Sequence, residues 1–266
     1  VIAPDGGAGR ARPCACRQRQ RASHLLAAAA IPDRYAHCKV ASFFVSSPDA
    51  HEHNQLVQAR TTARSYVDQF LKEGGGWSES GLLFIGPPGT GKTHLAVGVL
   101  RELVERYGVR GRFVEFGALL HQIQATFDPG SQESKHAVLD PLTEADVLVL
   151  DELGAQQATP WVRDILYLVI NQRYSRKLPT IFTTNYRLPG KEAAIAPMAT
   201  KPERLDRGRD PLGTVPAAVA EPVHLLSSRI QAALVSRLYE MAQPIELTAV
   251  ADFRREHKLY KARVAP

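Results

Sequence analysis

Cysteine is scarce: Cys14, Cys16 and Cys38 are the only three thiols in 266 residues. That is too few for a disulfide framework, so the fold must rest on a packed core. Cys14-Ala-Cys16 is half of a tetrahedral metal site, and no Cys-x-x-Cys pair precedes it. His51 and His53 would be the substitutes, but His-Glu-His in a polar stretch reads more simply as surface. No apolar run approaches the roughly 18 residues that span a bilayer, so no membrane role is expected. The opening Val-Ile-Ala-Pro-Asp-Gly-Gly lacks a charged-then-apolar secretory pattern and an initiator methionine. A truncated or processed chain working in the cytoplasm is the expectation.

What is present is globular: 44% hydrophobic and 23% charged residues, enough for one α/β domain with a shorter N-terminal appendage. Net charge is +6, and residues 1–60 hold eight basic residues against four acids. Arg17, Arg19 and Arg21 alternate with glutamines and have no aromatic neighbour for base stacking. A solvated basic arm and a contact to single-stranded DNA or an acidic protein face both remain open. Phe43–Gln55 reads as a polar linker, and a helix is expected from about Leu56 to Leu71, ended by Gly74-Gly-Gly76. Further helices are expected over His24–Ala30, Leu95–Tyr107, Ala118–Phe127 and Trp161–Tyr174. Leu225, Leu226, Ile230, Leu234, Val235 and Leu238 form another helical stripe. Strands are expected at Leu82–Ile85, Arg112–Phe116, Val147–Leu150, Thr180–Thr184 and Pro244–Thr248, giving a doubly wound five-stranded parallel sheet.

Three strand ends carry chemistry. The first runs into Gly86-Pro87-Pro88-Gly89-Thr90-Gly91-Lys92-Thr93, followed by His94 and a helix. Glycines let several N–H groups turn inward at a helix N-terminus, which suits phosphate. Lys92 can reach the β- and γ-phosphates and the Thr93 hydroxyl can ligate Mg2+. The run Val147–Leu150 ends in Asp151-Glu152, placing one carboxylate for the metal and the next for a water. Thr180–Thr184 ends in Asn185, whose amide can bond a γ-phosphate and the attacking water, or simply favour a turn. No guanine-reading Asn-Lys-x-Asp is visible.

Together Gly86–Thr93, Val147–Glu152 and Thr183–Asn185 resemble the Walker A, Walker B and sensor 1 elements of an AAA+ ATPase. Leu148–Gly154, Asn171–Tyr174, Thr183–Tyr186 and Ser236–Met241 resemble the bacterial replicative-helicase loaders of the DnaC/DnaI type, related to IstB-type transposition helpers. The likeness runs from about Ile31 to Arg255. It implies ATP with Mg2+ as cofactors, hydrolysis, a homo-oligomer in the ATP state, and a replicative DNA helicase and single-stranded DNA as partners. It also implies that Gly86–His94 bind nucleotide, Thr93 and Asp151 hold the metal, and Glu152 and Asn185 act in catalysis. Arg237 is then the arginine finger offered to a neighbour's site, with a solvated helix arginine as the alternative. Arg254 and Arg255 are candidates for a second sensor arginine, and Ile31–Phe44 for a cover over the base. The implied domains are a basic arm over 1–55, an AAA+ domain over 56–255 and a tail over 256–266, with little or no C-terminal lid. Residues 186–224 are expected as a flexible insertion whose Arg204, Arg207 and Arg209 could touch DNA. Two alternatives to helicase loading are an IstB-type helper of a transposase and a nucleotide-gated adaptor with negligible turnover.

Overall fold

The computed structural model describes residues 15–127, 134–156, 159–188 and 225–255. Strands β1 (Gly81–Ile85), β2 (Gly111–Glu115), β3 (Val147–Asp151), β4 (Thr180–Thr184) and β5 (Ala242–Glu246) form one sheet. Its order is β2-β3-β4-β1-β5 and every pair is parallel. Period-two geometry divides the strand side chains between two cores. Leu82, Phe84, Val147, Val149 and Ile181 enter one; Leu83, Ile85, Leu148, Leu150 and Phe182 enter the other. Burial on both faces explains why these strands read as unbroken apolar runs rather than alternating ones.

Helices α1 (Ala15–Ala28), α2 (Ala50–Asp68) and α3 (Lys92–Tyr107) cover the first face. Helices α4 (Phe116–Ala125), α5 (Lys135–Glu144), α6 (Pro160–Ser175) and α7 (Ala232–Met241) cover the second. Their starts are set by local chemistry. Asp49 caps α2 by accepting the Glu52 N–H at 2.7 Å, and Ser134 caps α5 by accepting the Ala137 N–H at 3.2 Å. Thr159 caps α6, with Pro160 in its first turn. Gly108, at φ +65°, ends α3 in the left-handed conformation.

Several expectations need correction. The polar linker is largely absent: α2 begins at Ala50, and Phe43 is buried in the first core, so the boundary expected at 55/56 falls inside a helix. The helix expected over His24–Ala30 instead spans Ala15–Ala28, taking in Arg17, Arg19 and Arg21 of the basic arm, with Leu25 and Leu26 packed on the first core. The stripe from Leu225 to Leu238 is not one helix. Leu225 bridges Arg187, Leu226–Ser228 make a 3-10 turn, and α7 starts only at Ala232. The last strand begins at Ala242, directly after α7; as an edge strand it tolerates Pro244. Helix α5 went unread, and Pro141 sits inside it. Among the described residues no helix is long and apolar enough to cross a membrane. Cys14, the basic cluster at Arg204, Arg207 and Arg209, and the tail 256–266 lie outside the described residues.

Candidate nucleotide site

The C-terminal ends of β1, β3 and β4 open onto one cavity of about 1560 Å3. With β1 flanked by β4 and β5 and its chain neighbour β2 at the far edge, this is the crevice where open α/β sheets take ligands. Gly89 and Gly91 carry φ of +84° and +88° in the connection from β1 to α3. A Cβ on Gly91 would lie 2.6 Å from the Phe43 ring, and one on Gly89 would run into the Asp252 carboxylate. Helix α3 then starts at Lys92 with no side chain capping it. Its first N–H groups are therefore available to an anion.

The polar groups at this end are bonded to one another. Lys92, 7% exposed, donates from Nζ to the Pro87 carbonyl at 2.8 Å, so its ammonium is folded back over the glycine-rich turn. Burial pulls it down to about 8, against the Asp151 and Glu152 charges that favour the ammonium. Thr93 Oγ1 donates to Asp151 Oδ1 at 2.9 Å, and Thr183 Oγ1 donates to the same oxygen at 2.6 Å. Burial raises the Asp151 carboxyl above its ordinary range, opposed by those two hydroxyls and Lys92. Glu152 adopts φ +59°, unusual for a residue with a side chain, and its N–H donates to Thr183 Oγ1 at 3.0 Å. The strand-end bond from the Leu153 N–H to the Thr183 carbonyl at 2.8 Å fixes the same corner. Burial, then the Asp151 and Glu115 charges, push the Glu152 carboxyl up.

Lys92, Thr93, Glu152 and Asn185 thus line one cavity, and Asp151 is joined to it through Thr93. Within the glycine-rich turn, Pro88, Gly89, Thr90 and Gly91 line it too, while Gly86 and Pro87 complete the turn behind. His94 lines the other end, where its ring stands 5.8 Å from that of Phe43 and Nε2 lies 3.0 Å from the Lys39 carbonyl. Phe43, Phe44 and Phe253 make that end apolar enough for a flat base, and the Phe253 N–H donates to the Gly89 carbonyl at 3.2 Å. Arg254 lines the cavity and its charge reaches Lys92.

Arg237 is not brought here. Its guanidinium lies over two rings of α6, 5.2 Å from Tyr167 and 5.7 Å from Tyr174. Three contributors went unread in the sequence. Glu115 ends β2 in register with Asp151, and Arg34 and Tyr35 reach the cavity from the segment before α2. An acid closing a strand was the available signal for the first; the other two fall within Ile31–Phe44, expected as a cover over the base, without having been singled out there. Of the cysteines, Cys16 lies on α1 and Cys38 is a free, buried core residue.

Residues 11–196, well over half the chain, match the family described as IstB-like ATP binding protein. The chain belongs to that family. It is 33% identical over 129 residues to the replicative helicase loader DnaC of Escherichia coli K12, across 48% of this chain and 50% of that one. The chain thus spans about half the length of that curated relative. A protein of insertion sequence IS5376 from Geobacillus stearothermophilus, named for ATP binding, is 36% identical over 104 residues, 39% of each chain. The crystal structure of the DnaC helicase loader superposes with a TM-score of 0.58 at 27% identity, covering 81% of this chain and 99% of that one. For an IstB-like ATP-binding chain, the hydroxyl and carboxylate oxygens of Thr93 and Asp151 are the hard donors that suit Mg2+ beside a phosphate cradle.

Proposed function

We propose that the chain binds ATP with Mg2+, hydrolyses it, and uses the cycle to load a replicative helicase onto single-stranded DNA in the cytoplasm. What carries the reading is the convergence of Lys92, the Thr93–Asp151 pair, Glu152 and Asn185 on one cavity. The turn Gly86–Gly91 and the start of α3 hold the phosphate chain, and Lys92 leaves the Pro87 carbonyl to reach its outer oxygens. Thr93 and Asp151 would hold the metal, which supplies charge neutralisation at the phosphate oxygens. Asn185 orients a water, and Glu152 takes its proton as the water oxygen bonds to the γ-phosphorus. The bond to the β–γ bridging oxygen breaks, leaving ADP and inorganic phosphate. Burial and the neighbouring carboxylates raise the Glu152 pKa, which makes its carboxylate a stronger base.

Likeness to a DnaC structure along nearly its whole length supports the loader. A second reading, an ATPase helper of a transposase, is supported by the IstB-like family and the insertion-sequence relative. Capture by an immobilised replicative helicase or by a transposase, each with ATP and with ADP, separates the two. Glu152→Gln tests turnover: it should retain ATP binding and lose phosphate release by about a hundredfold or more. Unchanged release would remove Glu152 from catalysis. No release from the wild-type chain, alone or with either partner, would leave the adaptor reading.

A further inference from the structure

Arg34 and Tyr35 line the cavity, and the reaction described above uses neither of them. Asp33–Tyr35 form a single 3-10 turn, closed by the Tyr35 N–H on the Pro32 carbonyl at 2.8 Å. The turn is held on both sides. Upstream, Ala29 is fully buried and its carbonyl accepts the Phe113 N–H of β2 at 2.7 Å. Downstream, Arg101 of α3 bonds the Ala36 carbonyl, and Cys38 and Val40 are buried in the first core. A turn anchored in this way delivers its side chains to a fixed place.

That place is the phosphate end. Tyr35 lies beside Thr93: burial first and the Asp151 charge second raise its hydroxyl above the ordinary value, with Arg34 and the Thr93 hydroxyl acting against them. The Arg34 guanidinium carbon sits 4.6 Å over the Tyr35 ring centroid, a cation–π contact that steadies the side chain at the cavity. Arg34 shares the cavity with Lys92, Glu152 and Asn185, and its charge is felt at Glu152. Among the described residues Arg34 makes no ion pair within 4.0 Å. A planar fork of donors, held on an aromatic ring beside a phosphate cradle and without a carboxylate of its own, is suited to phosphate oxygens.

We propose that Arg34 is a same-chain ligand of the terminal phosphate, so that the Asp33–Tyr35 turn distinguishes a nucleoside triphosphate from a diphosphate. This rests on the nucleotide reading above and adds to it a residue from outside the three strand ends. Lys92 meets both nucleotides, because it reaches the β-phosphate as well as the γ. Arg34 stands on the Glu152 side of the cavity and meets only the outermost group.

The test is equilibrium binding of fluorescent ADP and of a non-hydrolysable fluorescent ATP analogue, both with Mg2+, so the readout does not depend on turnover. Arg34→Ala should weaken the ATP analogue by about tenfold or more, the scale of one charge-assisted hydrogen bond, and leave ADP within about twofold. Arg34→Lys should recover part of the difference, since it keeps the charge without the fork. Equal weakening of both nucleotides, or no weakening of either, overturns the proposal. Lys92→Ala, run alongside, should lose both nucleotides; if it keeps both, the nucleotide site itself is wrong. Arg34 is exposed, so its variants should melt with the wild type. Should Arg34→Ala melt early, Arg34→Gln retains the stem and gives the same comparison.

Discussion

Glu115 stands at the end of β2 in register with Asp151, and Glu152 follows it, so three carboxylates share one corner of the sheet. Glu115 is bonded locally: its Oε1 accepts the Gly117 N–H at 2.9 Å and caps α4. Its charge still reaches both neighbours and pushes their carboxyls up. The sign follows directly. On the proposed mechanism turnover needs Glu152 ionised, and burial with the neighbouring charges pushes its carboxyl above the ordinary value, so the acid limb of the rate profile should lie above that value as well. Glu115→Gln keeps an oxygen for the Gly117 N–H and removes the charge. The acid limb of kcat for ATP should then move to lower pH, with the maximal rate little changed. A limb that stays in place, or moves upward, would show that Glu115 does not act on Glu152 through its charge.

Arg173 does at the level of elements what Lys92 does at the level of the site: it places a buried cation among carbonyls. It is fully buried, and four of its five N–H groups are used. Nη1 donates to the Leu142 and Ala145 carbonyls at 2.7 and 2.8 Å, Nη2 to Pro179 at 2.8 Å, and Nε to Thr180 Oγ1 at 2.8 Å. One side chain therefore ties α6 to the end of α5 and to the start of β4, the strand that carries Thr183 and Asn185. Burial among neutral acceptors pulls it down to about 9, which still leaves it charged at neutral pH. Arg173→Lys cannot span these acceptors and should cost about 2–4 kcal/mol in urea unfolding, from carbonyls left bare. A cost under about 0.5 kcal/mol would mean that the network is dispensable. The sequence displayed this arginine within Asn171–Tyr174 but not its task, because a tie between elements distant in the chain has no local pattern. The same limit explains the other differences. All five strands and the glycine-rich turn were legible, since burial on both faces and left-handed glycines leave marks in neighbouring residues. The α2 start was missed because Ala50–Gln55 is polar on the exposed part of the helix, and the Asp49 cap outweighs that polarity. The Leu225–Leu238 stripe misled because apolar spacing records which side chains face the core, and a bridge, a turn and a helix can all supply them. The segment Ile31–Phe44 was expected over the base, but nothing singled out Arg34 and Tyr35 within it, because they enter the cavity through tertiary anchoring rather than from a strand end.

At the scale of the whole molecule, Arg237 is held by two aromatic rings rather than by a carboxylate among the described residues. It lies apart from the cavity, and its Nη1 is buried with no hydrogen-bond partner among the described residues. Tyr167 and Tyr174 hold the guanidinium by its faces, while the Tyr174 hydroxyl is committed to Glu240 at 2.9 Å. This differs from a solvated helix arginine, whose donors all meet water. A buried N–H without an acceptor is costly unless another body supplies one. On the finger reading, the side chain swings off the two rings to meet a γ-phosphate in the site of an adjoining copy, which would link turnover to assembly. On that reading, Arg237→Ala chains should bind ATP as the wild type does and release almost no phosphate, because each site would lack the cation of its neighbour. Glu152→Gln chains should fail for the complementary reason. In an equimolar mixture, a chain with an intact Glu152 adjoins one with an intact Arg237 at about a quarter of random head-to-tail contacts, and about that fraction of wild-type turnover should return. Recovery should vanish on dilution below the assembly concentration. A mixture as inactive as its components, or full turnover by Arg237→Ala alone, would confine Arg237 to packing between the two tyrosines.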